Sequence, residues 1–103
     1  MSTLLQSPEM LKRISFVTHP KRIQILKEIE NAGRAMYIAE IAKAINEETP
    51  RNTSFHLIGL SKLGIVESKL QEIPNTERAA KFYNITEKGK ELLKNIGEIQ
   101  INI

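Results

Sequence analysis

Arg51, Asn52, Ser54, Phe55 and Lys62 fall close together between Pro50 and Gly64. Their chemistries suit the edges and backbone of a nucleic acid. A guanidinium pairs bidentately with guanine, a carboxamide with adenine, and an apolar ring rests on a thymine methyl. Arg51, Asn52 and Phe55 supply those groups in that order, and each good bidentate pair discriminates by about 1–3 kcal/mol. Ser54, Thr49 and the free N–H groups of a first helical turn suit phosphate, because a helix N-terminus carries partial positive charge. Lys62 reads as a further phosphate contact. Downstream, Arg78 and Lys81 can reach phosphates or a narrow, electronegative minor groove. Glu72 and Glu77 beside them oppose that contact.

Other chemistries are poorly served. The 103 residues include no Cys, which removes disulfide scaffolds, cysteine zinc sites and thiol catalysis. His19 and His56 alone make a poor transition-metal site; His19 reads as a helix cap and His56 as a structural side chain. There is no glycine-rich phosphate loop and no nucleophile elbow, so no enzyme is expected. Glu28 and Glu30 fall on a solvated helix face. No cofactor is expected. The net charge of +3 is compatible with a polyanionic partner without demanding one. No apolar run approaches the ~18 residues of a membrane span, and Leu4-Leu5 is too short for a signal peptide. The expected location is the cytoplasm, without membrane attachment.

The elements that must position these residues follow from caps and periodicity. Ser7-Pro8-Glu9 reads as a helix start, followed by Met10, Leu11, Ile14 and Val17 at helical spacing. His19-Pro20 opens a helix carrying Ile23, Leu26 and Ile29, which stops at Asn31-Ala32-Gly33. Ala35-Met36-Tyr37 is a short extended piece. Ile38, Ile41, Ala42 and Ile45 form the stripe of a third helix. Thr49-Pro50 repeats the cap-plus-proline signal, and a helix from about Pro50 to Leu63 stops at Gly64. Ile65 to Ile73 and Ala79 to Ile85 read as strands joined by a turn at Pro74-Asn75-Thr76-Glu77. Thr86 caps a last helix with Leu92, Leu93 and Ile96, and Gly97 is its expected stop. In the tail, Glu98 to Ile103, the alternation of Ile99, Ile101 and Ile103 would suit a short strand.

Around the Pro50–Leu63 helix, at ~100° per residue, Thr53, Leu57, Leu60 and Gly64 share a core face. Arg51, Phe55, Ile58 and Lys62 share the opposite one. The element order gives an α+β, mainly α fold: a winged helix-turn-helix with a two-stranded β-hairpin wing. One domain is expected over 1–103, with the helix-turn-helix at about 38–63, the wing at about 65–85 and the last helix at about 86–96.

The stretch Ser54-Phe55-His56-Leu57-Ile58-Gly59-Leu60-Ser61-Lys62-Leu63-Gly64-Ile65-Val66 resembles the recognition-helix segment of ArsR-type winged-helix repressors, S-x-H-L-x-x-L-x-x-x-G-L/I-V. His19-Pro20-Lys21-Arg22-Ile23-Gln24-Ile25-Leu26 resembles that family's H-P-x-R-x-x-I-L opening. Lys81-Phe82-Tyr83-Asn84-Ile85-Thr86-Glu87-Lys88-Gly89 resembles the wing-to-last-helix segment of ArsR, MarR and PadR-type regulators. The three segments come in the right order and cover most of residues 10–95. The resemblance implies a homodimer formed through the first and last helices. It also implies that the Pro50–Leu63 helix enters the major groove while the wing touches the adjacent backbone or minor groove. Two positions depart from the family. Tyr37 and Ala39 stand where many members carry a Cys-x-Cys metal site, so no metal is expected. Phe55 and Ile58 stand where basic residues are common.

Leu4, Leu5, Met10, Leu11 and Ile14, with Leu92, Leu93, Ile96 and Ile99, are the candidate dimer interface; the same residues would also close the core of a single copy. The expected function is sequence-specific recognition of double-stranded DNA by a dimeric repressor without metal sensing. The alternative is a protein-interaction module whose contact surface is Phe55, Ile58 and the Ile-rich tail. RNA binding is a weaker third reading, because few aromatic residues offer stacking platforms.

Overall fold

His19 lacks the short hydroxyl or carboxylate common at helix starts, yet its imidazole caps the helix that follows: Nδ1 accepts from the Lys21 N–H at 3.2 Å. That helix, α1, spans Pro20–Ala32 and ends at Gly33 in the left-handed region. The computed structural model describes residues 15–47 and 50–102, with side chains to residue 97. The expected start at Ser7-Pro8-Glu9 lies outside those residues, as do Leu4, Leu5, Met10, Leu11, Ile14 and Thr49, and the side chain of Ile99. Residues 15–17 are helical, and Val17 is fully buried.

After Gly33 the chain forms β1 (Met36–Tyr37) and α2 (Ile38–Ala44). The Glu40 carboxylate accepts from the Tyr37 N–H at 3.2 Å and from Arg34 at 2.6 and 3.1 Å. Chiefly through the Arg34 hydrogen bonds, its pKa falls below the ordinary carboxylate range. The α2–α3 connection turns at Asn46, φ 57°. It is tied back to α1 by Lys21, whose Nζ donates to the Ile45 carbonyl at 3.0 Å and lies 3.8 Å from Glu47. α3 then runs over Pro50–Lys62.

The hairpin follows as β2 (Val66–Glu72) and β3 (Ala79–Ile85), antiparallel from Val66↔Ile85 to Glu72↔Ala79. The short extended piece expected at Ala35-Met36-Tyr37 is the third strand of the sheet. β1 pairs with the far edge of β3, Met36↔Tyr83 and Tyr37↔Phe82, giving the order β1-β3-β2. Two residues carry no readable period, so only the fold reveals this pairing.

Thr86 links the hairpin to the last helix, α4 (Glu87–Asn102). Its Oγ1 accepts from the Gly89 N–H at 3.0 Å and lies 2.7 Å from the Gly64 carbonyl, to which it donates. A Cβ at residue 89 would collide with the Ile65 carbonyl, which explains the glycine three residues after the cap.

Two expectations about α4 need correction. Gly97 does not stop it: the helix continues to Asn102, so the tail is not a strand. A helical glycine costs only about 1 kcal/mol relative to Ala, and the preceding turns are anchored by the buried Leu92 and Ile96. Ile99 follows Ile96 by three residues and Ile103 follows Ile99 by four, so the tail fits a helical period as well as an alternating one. Second, Leu92 and Ile96 belong to the chain's own core and expose only 2–3% of their surface. They are therefore withdrawn from the candidate dimer interface. Leu93 is half-buried at its edge.

One core joins all these elements: Val17, Ile25, Leu26 and Ile29; Met36, Ile41 and Ile45; Leu57 and Leu60; Ile65, Val66, Tyr83 and Ile85; Leu92 and Ile96. Among the described residues no helix is long and apolar enough to cross a membrane.

Candidate nucleic-acid interface

α3 divides along its length into two faces. Thr53, Leu57 and Leu60 are fully buried and anchor it. Arg51, Phe55, Ile58 and Lys62 are exposed on the other side, Phe55 by 68% and Ile58 by 51%. Burying a Leu side chain stabilises by about 1.5–3 kcal/mol, so Leu57 and Leu60 fix which face turns outward. α3 contains no Asp or Glu. Its outward stripe therefore has a cation at each end and two apolar side chains between them. Asn52 is exposed and donates a long hydrogen bond, 3.4 Å, to Glu47; Ser54 is half-buried.

Arg22 of α1 holds α3 in place. Its Nε–H donates to His56 Nδ1 at 3.1 Å, its Nη1 donates to the Phe16 carbonyl at 2.9 Å, and its guanidinium lies 3.6 Å over the Phe16 ring centroid. The Phe16 ring in turn sits where a side chain at Gly59 would project. Gly59 thus admits an aromatic ring of the same chain. The His19 ring centroid is 5.0 Å from that of His56. Burial, then the nearby charges of Arg22 and His19, push the His56 pKa below its ordinary value. Because Nδ1 accepts from Arg22, the neutral ring carries its proton on Nε2. The sequence marks His19 as a cap and His56 as structural, but it does not disclose the contacts of Arg22 and Phe16 with α3, from which both lie far in the chain.

The wing stands beside this helix. Its loop is tightly bonded: the Ile73 N–H donates to the Arg78 carbonyl at 2.8 Å, and Thr76 Oγ1 donates to the Ile73 carbonyl at 2.9 Å. Asn75 takes the left-handed conformation at φ 63°, which Asn tolerates better than most residues. Arg78 and Lys81 are exposed. They line a groove of about 450 Å³ together with Ile73, Pro50 at the start of α3, and Tyr37 and Ile38 at the start of α2. The fold thus brings the wing cations across from the N-terminus of α3. Leu70, 74% exposed, pairs with Lys81 on the face that carries Val66 and Tyr83 at the hairpin base. The hairpin has outrun the core at that point.

No protein-family model and no curated protein matches the sequence. Solved structures do. The diamide-treated form of YodB from B. subtilis, a transcriptional regulator, superposes with a TM-score of 0.77 at 23% identity, over 92% of this chain and 89% of that one. A protein with a GntR superfamily winged-helix-turn-helix domain from Halomicrobium mukohataei gives 0.75 at 27% identity over 84% of this chain, which spans 63% of that protein's chain. The homodimeric winged helix-turn-helix DNA-binding domain of Mb0332 from Mycobacterium bovis gives 0.60 at 21% identity, over 88% and 75%. Helix-turn-helix, three-stranded sheet and hairpin wing together make this chain a winged helix-turn-helix, the fold of known transcriptional regulators.

Proposed function

We propose that this chain is a transcription regulator that reads double-stranded DNA with the outward face of α3 and braces the duplex with its wing. The outward stripe of α3 carries the reading: Arg51, Phe55, Ile58 and Lys62 are exposed on an acid-free helix whose other face is fixed in the core. A helix fits the major groove, and its N-terminal residues reach base edges. Arg51 and Asn52 take that role, and Phe55 meets an apolar base surface. Ser54 and the N–H groups of the first turn serve phosphate, as do Lys62 and, from the wing, Arg78 and Lys81, and Thr49 is a phosphate candidate by residue type.

The finer reading is an ArsR-type repressor that works as a homodimer and blocks a promoter without sensing metal. The matched His-Pro-x-Arg and Ser-x-His-Leu segments support the kinship, since they meet in the Arg22–His56 contact. The description of the Mb0332 domain as homodimeric supports the assembly. Two copies would read half-sites ~34–36 Å apart.

The double substitution Arg51→Ala/Lys62→Ala tests the reading. Both side chains are exposed, so folding is preserved. Retention on fragmented genomic DNA at about 150 mM salt should be lost, since non-specific binding is weak there; retention equal to that of the unaltered protein would overturn it. Exposed Phe55 and Ile58 favour a second reading, a protein-contact surface. A protein complex would survive the double substitution.

A further inference from the structure

We infer that Phe55 and Ile58 read thymine methyl groups, so that the preferred sites carry thymines at the positions these two side chains face. The inference rests on the DNA-binding reading of α3 and deepens it.

Phe55 and Ile58 stand 68% and 51% exposed next to each other on one helix face, and an adjoining apolar pair of this kind marks a contact surface. Neither packs against the core cluster, whereas Leu57 and Leu60 of the same helix do. Their surroundings select the partner. Arg51 lies one turn before Phe55 and Lys62 one turn after Ile58 on the same stripe, and α3 holds no carboxylate. A protein-binding patch can carry any rim, but a cation at each end of an acid-free apolar pair complements a polyanion with apolar groups exposed between its phosphates. The major groove of DNA fits that description through one group, the C5-methyl of thymine.

The dimensions agree. Residues three apart on a helix face hold their Cβ atoms about 5–6 Å apart, between one and two base-pair rises of ~3.4 Å, so Phe55 and Ile58 can reach methyls on nearby base pairs. Arg51, one turn nearer the N-terminus, would then read the pair beside that run. Arg22, His56 and Phe16 hold α3 against α1 from behind, which keeps the pair aimed.

The test uses duplexes recovered by the protein from genomic DNA, with each thymine replaced singly by deoxyuridine. That change removes one methyl and leaves every hydrogen-bonding group in place. Affinity is measured by fluorescence anisotropy for the unaltered protein, Phe55→Ala and Ile58→Ala. Expected is a loss of about fourfold per methyl at one or two nearby positions in each half-site. The sensitivity should vanish at one of them in Phe55→Ala and at the other in Ile58→Ala, the signature of a direct pair in a double-mutant cycle. Specific binding indifferent to every uracil would overturn the inference and leave the DNA-binding reading standing. Failure to recover any duplex would overturn both and return Phe55 and Ile58 to a protein partner.

Discussion

The Arg22 Nε–H donates to His56 Nδ1 across 3.1 Å, joining α1 to the outward-facing helix α3. Each residue belongs to a different segment of the chain, and each has a second role. Arg22 also covers the Phe16 ring, and His56 lies beside the cap residue His19. The bond ties α1 to the helix that exposes Arg51, Phe55 and Lys62.

Removing the guanidinium should therefore cost stability. Arg22→Ala breaks the bonds to His56 and the Phe16 carbonyl and uncovers the Phe16 ring. A hydrogen bond made by a charged group contributes about 1.5–3 kcal/mol, and the half-buried site places the loss towards the lower end. Urea unfolding reads it as a lower midpoint. An unchanged midpoint would mean that α3 is held by Leu57 and Leu60 alone.

Acid should weaken the fold through His56. Burial and the Arg22 and His19 charges lower its folded-state pKa, with Lys21 adding to them and Glu47 opposing. The unfolded chain binds this proton near pH 6.5, the folded chain only at lower pH. Between those two values the unfolded state holds more protons, so stability falls as pH drops through the window and levels off below it. His56→Gln, whose amide oxygen can still accept from Arg22, should lose that slope. Urea midpoints measured from about pH 8 to about pH 5 decide it; matching slopes in both proteins would rule out His56 as the source.

Gly59→Ala should destabilise, although alanine is the better helix former by about 1 kcal/mol. Its Cβ would occupy the place of the Phe16 ring, which is packed beneath Arg22. Overpacking of this kind costs about 1–3 kcal/mol. Thermal unfolding should show a lower midpoint, whereas a higher one would show that the ring moves aside freely.

Thr53→Val should stabilise. The Thr53 hydroxyl is fully buried and has no hydrogen-bond partner among the described residues. An unsatisfied buried hydroxyl costs about 1–3 kcal/mol, and valine keeps the shape without the polar atom. Chemical denaturation should give a gain of about 1 kcal/mol; a loss would show that the hydroxyl has a partner.

Much of this architecture is legible in the sequence because local signals agree. His19-Pro20 and Pro50 open helices, Gly33 and Gly64 follow their ends, and the change from helical to alternating period after Gly64 marks the wing. The two faces of α3 follow from spacing alone. What is not legible depends on distance or on ambiguity of period. Arg22 and His56 are joined only by the fold, and β1 is too short to announce its pairing with β3. Leu92 and Ile96 show the same apolar stripe whether they face a core or a partner, and their burial decides for the core. Gly97 has the residue type of a stop, but core contacts in the preceding turns outweigh it.

The most direct measurement mixes the purified protein with fragmented genomic DNA, recovers bound duplexes at about 150 mM salt and sequences them. Expected is enrichment of a few sites that share an inverted repeat, with half-sites about one helical turn apart. Absence of enrichment, with binding that disappears as salt rises from about 50 mM, would leave only charge-driven association and contradict sequence reading by α3.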